Sequence, residues 1–66
     1  MYINIKMAAI EKNVSIQEIA NKLGIHRNTL AKKINDGRLY TDELLAIRNN
    51  FFPDMSLDIL SYIKAV

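Results

Sequence analysis

The residues best suited to a chemical task are polar and basic side chains along one short segment, residues 27–36. If the segment is a helix, with about 100° between successive residues, Asn28 and Lys32 lie on the side opposite the apolar Leu30. Amide and cationic side chains of this kind hydrogen-bond the edges of nucleic-acid bases, Arg or Lys at guanine and Asn at adenine. The predicted polar face consists of Asn28, Lys32 and Asn35, with Arg27 in the first turn.

Two short helices joined by a glycine turn are predicted to position this face. Ser15 followed by Glu18 is a capping box, which predicts that the first of the two helices begins at Ile16. It should stop near Leu23, because Gly24 can adopt a left-handed conformation just past a helix end without steric cost.

The second helix of the pair follows almost at once and carries the polar face. His26 is its predicted N-cap, and Asp36 is its predicted last residue, before Gly37. Ala20 lies where the two helices would cross, and a small side chain there permits close approach of the axes. The residues predicted to face inward are Ile16, Ile19, Ala20, Leu23, Ile25, Leu30 and Ile34.

This pattern resembles the helix-turn-helix of phage Cro and repressor (XRE-type) proteins. The resemblance lies in Gln17, Ala20, Gly24, Leu30 and Ile34, and it covers roughly a third of the chain closely. It implies an all-α, compact five-helix, lambda-repressor-like DNA-binding domain with the helix-turn-helix at helices 2 and 3, formed by residues 1–66 as a single domain. The second helix of the pair would then enter the major groove of DNA while the first lies across the backbone.

The resemblance also implies roles for individual side chains. Base readout would fall to Arg27, Asn28, Ala31 and Lys32, with Ala31 touching a thymine methyl group. Positions at which family members usually hold phosphates are occupied by Gln17, His26, Thr29, Asn35 and Arg38, with Lys33 as a weaker addition. Local hydrogen bonding on the helix surface is the alternative for Thr29 and Asn35, and His26 has the alternative of an exposed turn residue.

Three further helices are predicted around this unit. The first covers residues 3–13, with Ile3, Met7, Ile10 and Val14 on its buried side. The fourth begins at Thr41, with Tyr40 and Leu45 as its hydrophobic staple, and runs to about Asn50, since Pro53 prevents its continuation. Ser56 caps a last helix that reaches about Lys64; a strand over residues 59–66 is the alternative.

Charge is concentrated in the middle of the chain. The net charge is only +2, but residues 21–40 contain five basic residues against one acidic residue. These charged residues either lie on ordinary solvent-exposed helix faces or attract a polyanion. Their position on the unit that resembles a DNA-binding motif favours binding of a polyanion. There are no cysteines, no apolar run spans a bilayer and no signal-peptide pattern is present, so we expect a soluble, cytoplasmic protein in a bacterial or host cell.

The sequence therefore predicts a sequence-specific, DNA-binding transcriptional regulator, a phage or prophage repressor of the Cro type. It predicts neither an enzyme nor a cofactor or metal site, because there is one histidine, no cysteine and no phosphate-cradling glycine loop. The rival is a protein-interaction module of the anti-repressor type that keeps the fold without binding DNA. A possible homodimer would use the C-terminal helix, whose apolar surface could instead be covered within a monomer by Phe51, Phe52 and the first helix.

Overall fold

The computed structural model describes residues 1–64, and these fold into five helices around a common core without any strand. The all-α prediction is therefore confirmed for the described residues. The helices are α1 (Ile3–Glu11), α2 (Ile16–Leu23), α3 (Arg27–Asp36), α4 (Thr41–Phe51) and α5 (Leu57–Leu60). The core side chains without exposed surface are Ile5, Ile19, Ala20, Leu30, Ile34, Ile47, Phe52 and Leu60.

Local signals determine both ends of α2, as predicted. The Ser15 hydroxyl accepts a hydrogen bond from the Glu18 N–H at 3.0 Å, and the Glu18 carboxylate accepts one from the Ser15 N–H at 3.2 Å. These bonds satisfy backbone donors that have no partner within the helix. At the other end, Gly24 has φ 71°, and the left-handed cap ends the helix after Leu23.

The first helix buries a different face from the predicted one. Its buried side chains are Ile5, Ala8 and Ala9, whereas Met7 and Ile10 are 60% and 81% exposed. The small alanines allow the helix axis to approach the core closely, which the bulkier residues on the other side do not. The prediction that Met7 and Ile10 are core residues is therefore wrong, while Ile3 and Val14 are half-buried.

The first helix is also shorter than predicted because of its C-terminal turn. Residue 13 was expected to be helical, but Asn13 has φ 56° and lies just beyond the capping residue, Lys12. Asparagine is among the few non-glycine residues that tolerate the left-handed region. The Val14 N–H then donates to the Ala9 carbonyl at 2.8 Å, which closes the end of the helix.

The last helix ends four residues before the predicted end. It stops at Leu60, and the chain then turns toward the N-terminus, where the Lys64 N–H donates to the Met1 carbonyl at 2.9 Å. Pairing with the N-terminus has replaced the last helical turn, and the predicted helix to Lys64 is wrong. The alternative strand is excluded for the described part of 59–66, while Val66 lies outside the described residues.

The N-terminus also holds the end of α3 and the loop that follows it. The Tyr2 N–H donates to the Ile34 carbonyl at 3.0 Å, and the Tyr2 hydroxyl accepts from the Leu39 N–H at 3.2 Å. Because the Tyr2 side chain is buried, these bonds are shielded from water. Tyr2 therefore ties the last turn of α3 and the following loop to the N-terminus at two points.

Replacing Gly37, the C-cap of α3, by alanine is expected to lower the free energy of unfolding by about 1–2 kcal/mol, because φ is 70° there. An added Cβ would also lie 3.2 Å from Cγ2 of Ile63. Gly24→Ala is the matched control, since φ is similar and nothing lies within 4 Å of its added Cβ. Urea denaturation should give a larger loss at Gly37, and Ile63→Ala should remove the excess; equal losses would contradict the crowding.

Candidate nucleic-acid interface

Close packing of α2 against α3 forms the corner of the candidate interface. Ala20 has no exposed surface, and its carbonyl accepts the Ile25 N–H at 3.1 Å across the turn. Leu30 and Ile34 are also fully buried, so one side of α3 packs on the core. The opposite side is left to solvent, as the helical periodicity predicted.

The solvent side of α3 presents the predicted base-reading side chains. Arg27, Asn28 and Lys32 are exposed, and Ala31 is half-buried beside them. The helix has 10 residues, which gives a length of about 15 Å. A single exposed helix of this kind fits the major groove of B-DNA, which is about 12 Å wide.

The predicted phosphate-binding residues surround this helix, but they are not all equally available. The exposed ones are Gln17, His26, Thr29, Asn35 and Arg38. Gln17 lies in the first turn of α2, where its amide nitrogen donates to the Asn21 side chain at 2.8 Å. A second hydrogen remains on that nitrogen for an external acceptor.

His26 has a defined local role at the start of α3. Its Nδ1 accepts a hydrogen bond from the Asn28 N–H at 3.1 Å, so the ring caps the helix as predicted. Because Nδ1 is the acceptor, the neutral ring carries its proton on Nε2. The exposed Nε2–H is thus a donor that an anionic partner could use without loss of the cap.

Lys33 differs from the other predicted phosphate ligands because it is already paired. Its Nζ lies 2.9 and 3.2 Å from the two carboxylate oxygens of Glu43 and 4.8 Å from the ring centroid of Tyr40. The Lys33 and Glu43 side chains are only 25% and 14% exposed. Its phosphate contact stays a prediction: one of the three ammonium donors remains for a phosphate, but Glu43 already balances the positive charge.

An open cleft of about 310 Å³ lies between one side of α3 and the loop that follows the helix, and several of these residues line it. Sequence reasoning found four of its lining residues and missed Asp36 and Tyr40. Tyr40 was predicted to pack on α4 as a hydrophobic staple, which is wrong because it is 69% exposed. The cleft is lined by Thr29, Lys32, Lys33, Asp36, Arg38 and Tyr40.

The fold and this surface define a class of protein: an all-helical domain whose second and third helices form a helix-turn-helix with a basic, polar outer face. Comparison with known families agrees, because the Cro/C1-type HTH DNA-binding domain matches residues 4–64. The chain belongs to that family, and it is a DNA-binding domain of a transcription regulator. No curated protein and no solved structure matches the chain.

Within 1–64, no group of three or more His, Cys, Asp and Glu side chains is arranged to hold a metal ion. No helix of that part of the chain has the length and apolar character needed to cross a membrane.

Proposed function

We propose that this chain, as a single domain over residues 1–66, is a repressor of the phage or prophage Cro type that recognises an operator with α3. The observation that carries the proposal is the exposure of Arg27, Asn28 and Lys32 on the side of α3 that faces away from the core. Occupation of an operator by such a domain would repress transcription by excluding the polymerase. The remaining polar side chains fix its register on the DNA backbone.

The assignment of roles is tested by comparing Lys32→Ala with Arg38→Ala. Lys32→Ala should relax the preference at one or two base pairs, by about 1–3 kcal/mol of discrimination, because the lost contact is to a base edge. Arg38→Ala should weaken binding to all sequences alike and reduce the slope of log K against log salt by about one, because the lost contact is to a phosphate.

The measurement is a fluorescence-anisotropy titration at several salt concentrations. One duplex is selected by this protein from a random pool, and a second of equal length has scrambled sequence. Equal losses on both duplexes for both variants would contradict the division into base and phosphate contacts. Failure of the wild-type protein to select any duplex would contradict the proposed function itself and favour the anti-repressor alternative.

The proposal includes a homodimer that covers apolar surface near the C-terminus. Ile59, Tyr62 and Ile63 are 53%, 54% and 50% exposed, so about half of each residue is open to water in one copy. Large apolar residues with this much exposure, grouped in one short segment, are more typical of an interface than of a monomer surface. Two copies related by a twofold axis would read half-sites about 34 Å apart.

Sedimentation equilibrium at micromolar concentrations, with and without DNA, tests the dimer. We expect self-association that Ile59→Glu abolishes, because a carboxylate buried at the interface lacks a partner. Lys6→Glu is a control that adds negative charge on α1 without removing apolar surface. A strict monomer under both conditions would contradict the dimer while leaving DNA binding by α3 intact.

A further inference from the structure

Tyr40 is a large aromatic side chain held in the open beside the candidate interface. It is 69% exposed, yet its surroundings are ordered by three contacts. The Tyr40 N–H donates to Glu43 Oε1 at 2.9 Å, Glu43 accepts two hydrogen bonds from Lys33, and the Lys33 ammonium lies against the Tyr40 ring. The ring is therefore pre-positioned although the core does not cover it.

The charges around the ring indicate what the cleft receives. Lys33 forms an ion pair with Glu43, so its positive charge is largely neutralised within the protein. The cations left on the cleft are Lys32 and Arg38, opposed by Asp36. Thr29 adds a hydroxyl that can donate to an acceptor. The cleft thus has a small excess of positive charge, a hydroxyl donor and the face of one aromatic ring.

We infer that Tyr40 is a DNA-binding residue, and that the cleft holds one sugar-phosphate unit of the strand beside the groove that α3 enters. The phosphate lies toward Arg38 and Thr29, and the deoxyribose packs against the Tyr40 ring. The volume of about 310 Å³ suits a ligand of this size. Lys33 and Glu43 act as positioning residues for Tyr40. This inference rests on the proposed function.

The test compares Tyr40→Ala with Met7→Ala, which shortens an exposed apolar side chain on α1, outside the cleft, with a similar exposure of 60%. Tyr40→Ala should weaken binding to selected and scrambled duplexes alike by about five- to tenfold, as expected for an interface aromatic. Its salt slope should stay that of the wild-type protein, because no charge is lost. Tyr40→Phe should bind nearly normally, and Met7→Ala should bind as the wild-type protein does.

The positioning role is tested by coupling. Lys33→Met should weaken DNA binding in the wild-type background and have no effect in the Tyr40→Ala background, because the two side chains act as a unit. Lys33→Arg should bind DNA more tightly than Lys33→Met, since a guanidinium can also pair with the Glu43 carboxylate and lie against the Tyr40 ring. Independent, additive losses would overturn the positioning role. Thermal unfolding of each variant verifies that it is folded at the titration temperature.

The outcomes of these experiments distinguish failure of the Tyr40 inference from failure of the proposed function. If Arg38→Ala weakens binding but Tyr40→Ala does not, the inference is overturned and the proposed function stands. If no duplex binds the wild-type protein, both are overturned. Thymidine monophosphate serves as a probe for a free nucleotide: competition at low millimolar concentration would make the cleft a small-ligand site, whereas no competition with a Tyr40-dependent loss for duplex supports the strand contact.

Discussion

Phe52→Ala is expected to leave little folded protein at 25 °C. The Phe52 side chain is entirely buried, and phenylalanine-to-alanine changes in such positions cost about 3–5 kcal/mol. A domain of 66 residues has a total stability of only about 3–10 kcal/mol. Loss of this one ring therefore consumes much or all of the stability, since a core this small has few other large side chains.

Urea denaturation followed by circular dichroism measures this effect. Phe51→Ala is the matched control, because Phe51 is the adjacent, half-buried ring with its centroid 6.3 Å away. We expect a clearly smaller loss for Phe51. If the two variants had equal unfolding midpoints, Phe52 would not be the central core residue that its burial indicates.

The helix-turn-helix was predictable because its signals are local. The capping box at Ser15, the left-handed glycines at 24 and 37 and the small Ala20 each report on neighbours within a few residues. Backbone donors near a helix start need acceptors close in sequence, so the residues that cap a helix can be recognised within the segment itself. The predicted bounds of α2 and α3 agree with the structure for this reason.

The first helix was mispredicted because both of its sides are apolar. Ile3, Met7 and Ile10 form one periodic stripe, while Ile5, Ala8 and Ala9 form another. Hydrophobic periodicity predicts burial of the stripe with the bulkier side chains, but it carries no information about the shape of the surface on which the helix packs. The core accepted the side with alanines, which lets the helix lie closer.

The chain ends were mispredicted because their partners are distant in sequence. Lys64 pairs with Met1, and the Tyr2 hydroxyl reaches Leu39. The same limit applies at the candidate interface, where Lys33 finds Glu43 in the next helix. Exposure of a basic residue can be predicted from a helical wheel, but its ion-pair partner cannot. Tyr40 was interpreted as a hydrophobic staple because its contact with Lys33 on the preceding helix cannot be predicted from the sequence.

Ala20→Leu is expected to abolish recognition of the selected duplex even where the protein stays folded. Ala20 is predicted to lie where α2 and α3 cross, and it has no exposed surface; overpacking such a site costs about 1–3 kcal/mol in stability. A larger side chain must separate the two helices, which changes the angle at which α3 leaves the corner. Base contacts then lose their alignment together, whereas contacts made by flexible basic side chains to phosphates persist.

The control is Ala8→Leu, which enlarges a buried alanine on α1, away from the α2–α3 crossing. Both variants should lose stability in urea denaturation, but only Ala20→Leu should bind selected and scrambled duplexes with equal affinity. If Ala20→Leu does not fold, Ala20→Val provides a smaller enlargement for the same comparison. Retention of full sequence preference by a folded Ala20 variant would mean that the corner angle does not determine recognition, because α3 could then read bases from more than one orientation.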